Sequence, residues 1–286
     1  MASAANPAAH LDDKSSRLEQ HLLSLGSVMV AYSGGTDSAY LAYAAHRVLG
    51  SAMLAVIADS PSLARTQLAD ALAFASEQSI PVQVIHTAEL DSPDYVKNDA
   101  SRCFHCKDEL FTVMEGERQR LGCKHLAYGM NLDDRGDFRP GQKAASLHGA
   151  VAPLVEAGLT KADIRALAQQ AGLRIWDKPA SACLSSRVEY GLPVTRAVLQ
   201  RIEDGEELLR SLGYRQFRVR SHGELARIEI AREELPGALS MDSMALLTRG
   251  FKAIGFKYVT LDCEGYRSGS MNDVLPVQAL LSIKNS

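Results

Sequence analysis

Six consecutive residues, Ser33-Gly34-Gly35-Thr36-Asp37-Ser38, set backbone N–H groups, hydroxyls and one carboxylate between a short apolar run and a stretch of helical periodicity. Glycines leave the backbone open to close approach, and a helix start carries unsatisfied N–H groups and a positive dipole end, so the segment suits an anion such as phosphate. Its spacing differs from both G-x-x-x-x-G-K-[ST] and G-x-G-x-x-G, which disfavours kinases, GTPases and dehydrogenases. The plainer alternative is a Gly-Gly turn whose Asp37 caps the helix.

Cysteine chemistry is the second possibility. The chain has five cysteines, an odd set with no export signal, which weighs against a disulfide framework and toward metal or catalytic use. Cys103 and Cys106 have the two-residue spacing that lets both sulfurs reach one metal or cluster, yet such a pair alone also fits a zinc site, a redox dithiol or two unrelated thiols. Cys183 lies in the run Lys178 to Arg187, where small residues and cations favour an accessible, thiolate-like sulfur. A third cysteine near the pair could complete three-point attachment of a four-iron cluster, leaving one iron open. Cys123 and Cys263 read as packing residues.

Positioning these groups requires alternating strands and helices. Val28 to Ala31 reads as a strand feeding the Ser33–Ser38 loop, and Tyr40, Leu41, Tyr43, Ala44 and Val48 follow at helical spacing. Strands at Ala52 to Ala58, Val82 to Ile85 and His125 to Tyr128 alternate with helices at Ser62 to Glu77 and Glu109 to Leu121. That alternation implies an α/β fold with a parallel sheet covered on both faces, its ligands at the carboxyl ends of the strands. Thr160 and Asp163 start a helix over Ile164 to Ala171. Beyond Thr195 come a long helix to about Leu212, strands near Phe217 to Val219 and Ala226 to Ile230, a helix over Met241 to Ile254 and a strand at Tyr258 to Leu261. The expected division is a flexible tail over 1–15, with firm helix from Leu18, an α/β domain over 16–190, and a smaller α+β domain over 191–286 for substrate binding or oligomerisation.

Composition bounds the rest. With 286 residues, 46% hydrophobic and 23% charged, the chain can bury a substantial core, which excludes disorder and fibres. No run approaches the roughly 20 apolar residues of a membrane span, so the expected location is cytoplasmic. A net charge of −3 gives no general attraction for polyanions, so nucleic acid is not the default partner.

The S-G-G-x-D-S loop resembles the pyrophosphatase loop (PP-loop) of ATP-adenylating enzymes, and from about Leu22 to Asn272 the chain resembles the LarE-type sulfur transferases, which help build the nickel-pincer nucleotide cofactor of lactate racemase. The likeness is carried by Ser33–Ser38, by Asn131-Leu132-Asp133-Asp134 with Arg139-Pro140-Gly141, by Lys178–Arg187 and Tyr190-Gly191, by Gly255–Asp262, and by Glu264-Gly265-Tyr266-Arg267-Ser268-Gly269-Ser270. The resemblance implies ATP bound by Ser33, Gly34, Gly35, Thr36, Asp37 and Ser38, with Asp37 organising Mg²⁺ or the loop and with adenosine near Asp59 and Ser60. It implies adenylation of a pyridinium dicarboxylate mononucleotide, then sulfur transfer at Cys183, once for each of two carboxylates. Lys178 and Arg187 become candidates to neutralise charge on the α phosphate, and Arg218 and Arg220 correspond to the family's phosphate-binding arginines. Glu206 or Glu207 and Glu229 are candidate acidic partners or metal ligands.

Some members of this family sacrifice the cysteine sulfur and end as dehydroalanine. Others carry the extra cysteine pair and resemble iron–sulfur enzymes, so Cys103, Cys106 and Cys183 imply a [4Fe-4S] cluster replenished by a sulfide or other sulfur donor. A homo-oligomer, a hexamer, is also implied. The competing readings are a tRNA-thiolating enzyme, which normally needs a basic surface whereas this acidic chain has no dense Lys/Arg tract, an amide-forming adenylating enzyme with no evident use for the cysteines, and a noncatalytic nucleotide or iron–sulfur carrier.

Overall fold

The computed structural model describes residues 7–135, 140–179 and 181–267. The first six residues of the expected tail, Arg139, Ala180, and Ser268 to Asn272 of the resemblance lie outside the described residues.

The elements run α1 (Pro7–Leu25), β1 (Val28–Ala31), α2 (Thr36–Leu49), β2 (Met53–Asp59), α3 (Arg65–Glu77), β3 (Val82–His86), α4 (Pro93–Val96), α5 (Arg102–Leu121) and β4 (His125–Tyr128). They continue with α6 (Pro140–Leu147), α7 (Pro153–Glu156), α8 (Lys161–Gln170), α9 (Arg196–Ser211), β5 (Phe217–His222), β6 (Leu225–Ile230), α10 (Leu235–Ala238), α11 (Met241–Ile254) and β7 (Tyr258–Leu261). Among the described residues no helix is long and apolar enough to cross a membrane.

The chain forms two compact units rather than dividing once near residue 190. Among the described residues, one unit holds 7–60, Arg65–Thr87 and Cys103–Ser181, and the other holds Pro61–Ala64, Ala88–Arg102 and 182–267. Hydrogen bonding explains why 88–102 groups with the later sequence. The Val194 amide donates to Val96 O at 3.0 Å, the Gly191 amide to Asn98 O at 3.1 Å, and the fully buried Asn98 side chain donates to Glu189 O and Leu192 O.

In the first unit the parallel sheet has strand order β3-β2-β1-β4, with Val28 in register with Met53 on one side and His125 on the other. β1 is buried along its whole length, as expected for a strand covered on both faces. Met29, Val56, Ile85, Phe111, Met114 and Leu126 form part of one core cluster. Gly34 has φ +73°, and a Cβ there would stand 2.5 Å from Ala71 Cβ, so the turn after β1 requires glycine on both grounds.

Two helices start earlier than their periodicity indicates. α1 begins at Pro7 rather than near Leu18, because an Ala-rich first turn favours helix and Lys14 is held by Asp163 at 2.6 Å. α5 begins at Arg102 rather than Glu109, since no breaker intervenes and Asp99 accepts the Ser101 amide at 2.8 Å just before the first turn. Cys103 and Cys106 are therefore helical, one turn apart, instead of preceding the helix.

In the second unit β5 pairs antiparallel with β6, and β6 parallel with β7. Thr195 caps α9 by accepting the Val198 amide, and Gly255, at φ +109°, ends α11.

Candidate functional site

The carboxyl ends of β1 and β4 meet where the strand order reverses direction, and a cavity of about 350 Å³ opens there. Ser33, Gly35, Thr36, Asp37 and Ser38 form one wall. The loop is held by its own hydroxyls, with the Ser33 amide donating to Ser38 Oγ at 3.1 Å and Thr36 Oγ1 donating to Ile175 O at 3.0 Å. The N-cap of α2 is Gly35, which has no side chain to satisfy the first N–H groups, so they remain open to an anion. Gly129 lets β4 come close, since a Cβ there would stand 2.7 Å from the Ser38 nitrogen.

Cations surround this wall. Lys178 donates to Gly34 O at 3.0 Å and pairs with Asp70, while Lys161 and Arg165 enter from α8 and Lys107 from α5. Burial alone would raise the Asp70 carboxyl, but hydrogen bonds from Lys178 and Arg174 outweigh it and hold the group below the usual carboxylate range. Lys178 thus stands at the Ser33–Ser38 loop. Lys107, Lys161 and Arg165 were missed. The latter two were discoverable as a basic i,i+4 pair directly after the Thr160 cap.

Asp37 sits beneath the cations. Its Oδ2 accepts from Asn131 Nδ2 at 3.0 Å, whereas Oδ1 is buried with no hydrogen-bond partner. Burial raises this carboxyl above its ordinary value, despite the lowering effects of the Asn131 bond and Lys161. An orphaned carboxylate oxygen on a residue of the loop that lines this cavity fits a hard divalent cation such as Mg²⁺. Asp59 and Ser60 do not line this cavity: Asp59 pairs with Arg65, which also donates to Ser60 O at 2.7 Å.

The second unit builds the surroundings of Cys183. The Leu184 amide donates to Ser62 O at 2.8 Å, and Cys183 precedes the short 3-10 turn Leu184–Arg187. Its Sγ lies 3.0 Å from Ser185 Oγ. Arg187 is only 1% exposed. Its Nε donates to Glu206 Oε1 at 2.6 Å and Nη2 to Oε2 at 3.2 Å, while Nη1 donates to Ala182 O and Cys183 O. Every guanidinium nitrogen is committed, so this arrangement assigns Arg187 to fixing the cysteine backbone instead of reaching a phosphate. Arg102 donates to Ser185 O at 2.9 Å and covers the Tyr190 ring. Burial pushes the Cys183 thiol up, but the Arg102 charge, the Ser185 hydroxyl and Arg187 outweigh it, leaving the thiol below its ordinary value.

Arg218 and Arg220 share one face of β5, opposite Glu229 and Arg227 of β6. Glu229, fully buried, accepts from Arg220 at 2.9 Å and from Arg227 at 3.0 Å, so both of its oxygens serve guanidinium groups and its expected metal role gives way to anchoring Arg220. Arg218 bonds Phe217 O and stacks over Tyr266; burial, then Arg187, lowers its basicity. A partly desolvated guanidinium among like charges favours an anion.

Cys103 is exposed and Cys106 partly so, both on the first turn of α5. Among the described residues no three His, Cys, Asp or Glu side chains are gathered as one ligand set. Cys123 packs against the parallel-sheet core, whereas Cys263 is exposed and does not pack as expected.

No family model matches the chain. It is 42% identical over 265 residues to an uncharacterised protein of Synechocystis, covering 93% of this chain and 99% of that one. It is 37% identical over 269 residues to the pyridinium-3,5-bisthiocarboxylic acid mononucleotide synthase of Lactiplantibacillus plantarum, covering 93% and 96%. An uncharacterised protein of Methanocaldococcus jannaschii is 28% identical over 241 residues, covering 84% and 91%.

Proposed function

Because the chain belongs to the LarE-type sulfur transferase family, we propose that it uses ATP to adenylate the carboxylates of pyridinium-3,5-biscarboxylate mononucleotide and converts them to thiocarboxylates, in nickel-pincer nucleotide biosynthesis for lactate racemase. The observation that carries this reading is the open helix start at Gly35, ringed by Lys161, Arg165 and Lys178 and backed by the orphaned Asp37 oxygen.

A substrate carboxylate oxygen attacks the α phosphorus of ATP, the bond to the β-phosphate oxygen breaks, and pyrophosphate leaves. Lys178, Lys161 and Arg165 offset the charge that develops on the departing group, and the α2 amides hold it. Asp37 would hold Mg²⁺ through Oδ1, and the ion would neutralise phosphate charge there. Sulfur then attacks the acyl carbon and AMP leaves. Arg218 and Arg220 are assigned to the mononucleotide phosphate.

For the sulfur source we assign a cluster held by Cys103, Cys106 and Cys183, which when bound would supply a sulfide at its open iron. Cys103 and Cys106, one turn apart on α5, would supply two of the three attachments, although among the described residues no three-ligand set is gathered. A second reading is favoured by the lowered Cys183 thiol. Its thiolate displaces AMP to form a thioester, and loss of the Cα proton with cleavage of Cβ–Sγ then leaves a thiocarboxylate and dehydroalanine.

Cys183→Ala is expected to abolish thiocarboxylate while pyrophosphate release persists; undiminished sulfur transfer by that variant would defeat the assignment. Intact mass after turnover separates the two sources, an unchanged chain indicating sulfide and the loss of one sulfur indicating sacrifice.

A further inference from the structure

Asn131 follows β4 and joins the phosphate loop, through Asp37, to the turn that precedes α8. It is 1% exposed, and it caps a 3-10 turn over Leu132–Asp134. Its Oδ1 accepts the amides of Asp133 at 2.9 Å and Asp134 at 3.3 Å, while its own amide donates to Asp134 Oδ2. Because backbone donors claim Oδ1, the orientation of the side-chain amide is fixed, and Nδ2 must face Asp37. The same turn reaches α8: the Lys161 amide donates to Asp133 Oδ2 at 2.8 Å, and the Leu132 amide to Leu159 O at 2.8 Å.

Resting on the function proposed above, we infer that Asn131 is a positioning residue, which engages Asp37 Oδ2 so that Oδ1 alone is presented to the divalent cation of the bound nucleotide. A carboxylate free to rotate would offer either oxygen and lose entropy on binding; the Asn131 bond removes that freedom beforehand. The turn also fixes where Lys161 starts, so cation and phosphate contacts are set from one joint.

Capping and positioning separate cleanly. Asn131→Ser keeps a good cap acceptor but removes the amide donor to Asp37. The test uses Mn²⁺ as the probe, with a methylene-bridged ATP analogue that cannot turn over, and reads Mn²⁺ binding by electron paramagnetic resonance. We expect about tenfold weaker Mn²⁺ binding in Asn131→Ser, measured below its thermal midpoint so that the variant is folded, since hydrogen bonds to charged groups are the stronger ones. In an Asp37→Asn background the same substitution should have no further effect. Mn²⁺ affinity within twofold of wild type, or an equal loss in the Asp37→Asn background, overturns the inference. Failure of the wild-type protein to release pyrophosphate from ATP and the dicarboxylate would instead count against the sulfur-transfer reading, which the Mn²⁺ comparison does not use.

Discussion

Arg187 stands four residues after Cys183, and its identity as a cation near that thiol is plain from the chain. What it does is set by Glu206, which takes two of its nitrogens and leaves the third to hold the Ala182 and Cys183 carbonyls. Removing one partner from a buried ion pair strands the other charge in a poorly solvating interior, at a cost of about 3–5 kcal/mol. Glu206→Ala should therefore lose stability of that order in chemical denaturation, whereas a matched apolar pair at 187 and 206 should lose less. A Glu206→Ala variant within about 1 kcal/mol of wild type would show that the pair contributes little. The flanking cations made a lowered Cys183 thiol legible in the sequence. Which of them would touch its loop was not, because Arg102 reaches Ser185 from 83 residues away.

Helix α8 carries Lys161 and Arg165 into the cavity, and its first turn is fastened by a capping box. The Asp163 amide donates to Thr160 Oγ1, and the Thr160 amide donates to Asp163 Oδ2. Replacing such a cap by alanine costs about 1 kcal/mol, so Thr160→Ala should destabilise by that amount at neutral pH. Asp163 adds a pH signature. Burial would raise its carboxyl, but bonds from Lys14 and Thr160 outweigh that and hold it below the usual carboxylate range. A depressed carboxyl stabilises fully above the unfolded value and loses that contribution as pH falls through the folded one. The stability gap between wild type and Asp163→Asn should accordingly be present at neutral pH and close as the solution is acidified through and below the ordinary carboxylate range. A gap that widens on acidification would show that the Lys14 and Thr160 bonds do not depress this group. Here the sequence was informative, since Thr160 and Asp163 sit within one turn of each other; the earlier starts of α1 and α5 were obscured because tertiary ties to Lys14 and local capping by Asp99 override weak periodicity.

Across the whole molecule, a net charge of −3 gives no general attraction for a polyanion, and Arg220 and Arg227 are both paired with the buried Glu229. Transfer RNA should thus show no saturable binding tighter than the non-specific range of about 10⁻⁴ to 10⁻⁶ M at physiological salt, measured by filter retention. Tight, salt-sensitive binding would favour the tRNA-thiolating reading. The sequence by itself determined the phosphate loop, the strand–helix alternation, the caps and the family, because these depend on residues within a turn or two of one another. Tertiary structure decided the pairing: Lys178 with Asp70 across 108 positions, Asn131 with Asp37 across 94, and the grouping of residues 88–102 with the later chain. Hydrogen bonds and buried ion pairs act over a few ångströms of space and are blind to sequence separation, so the partner each charge takes emerges only when the chain has folded.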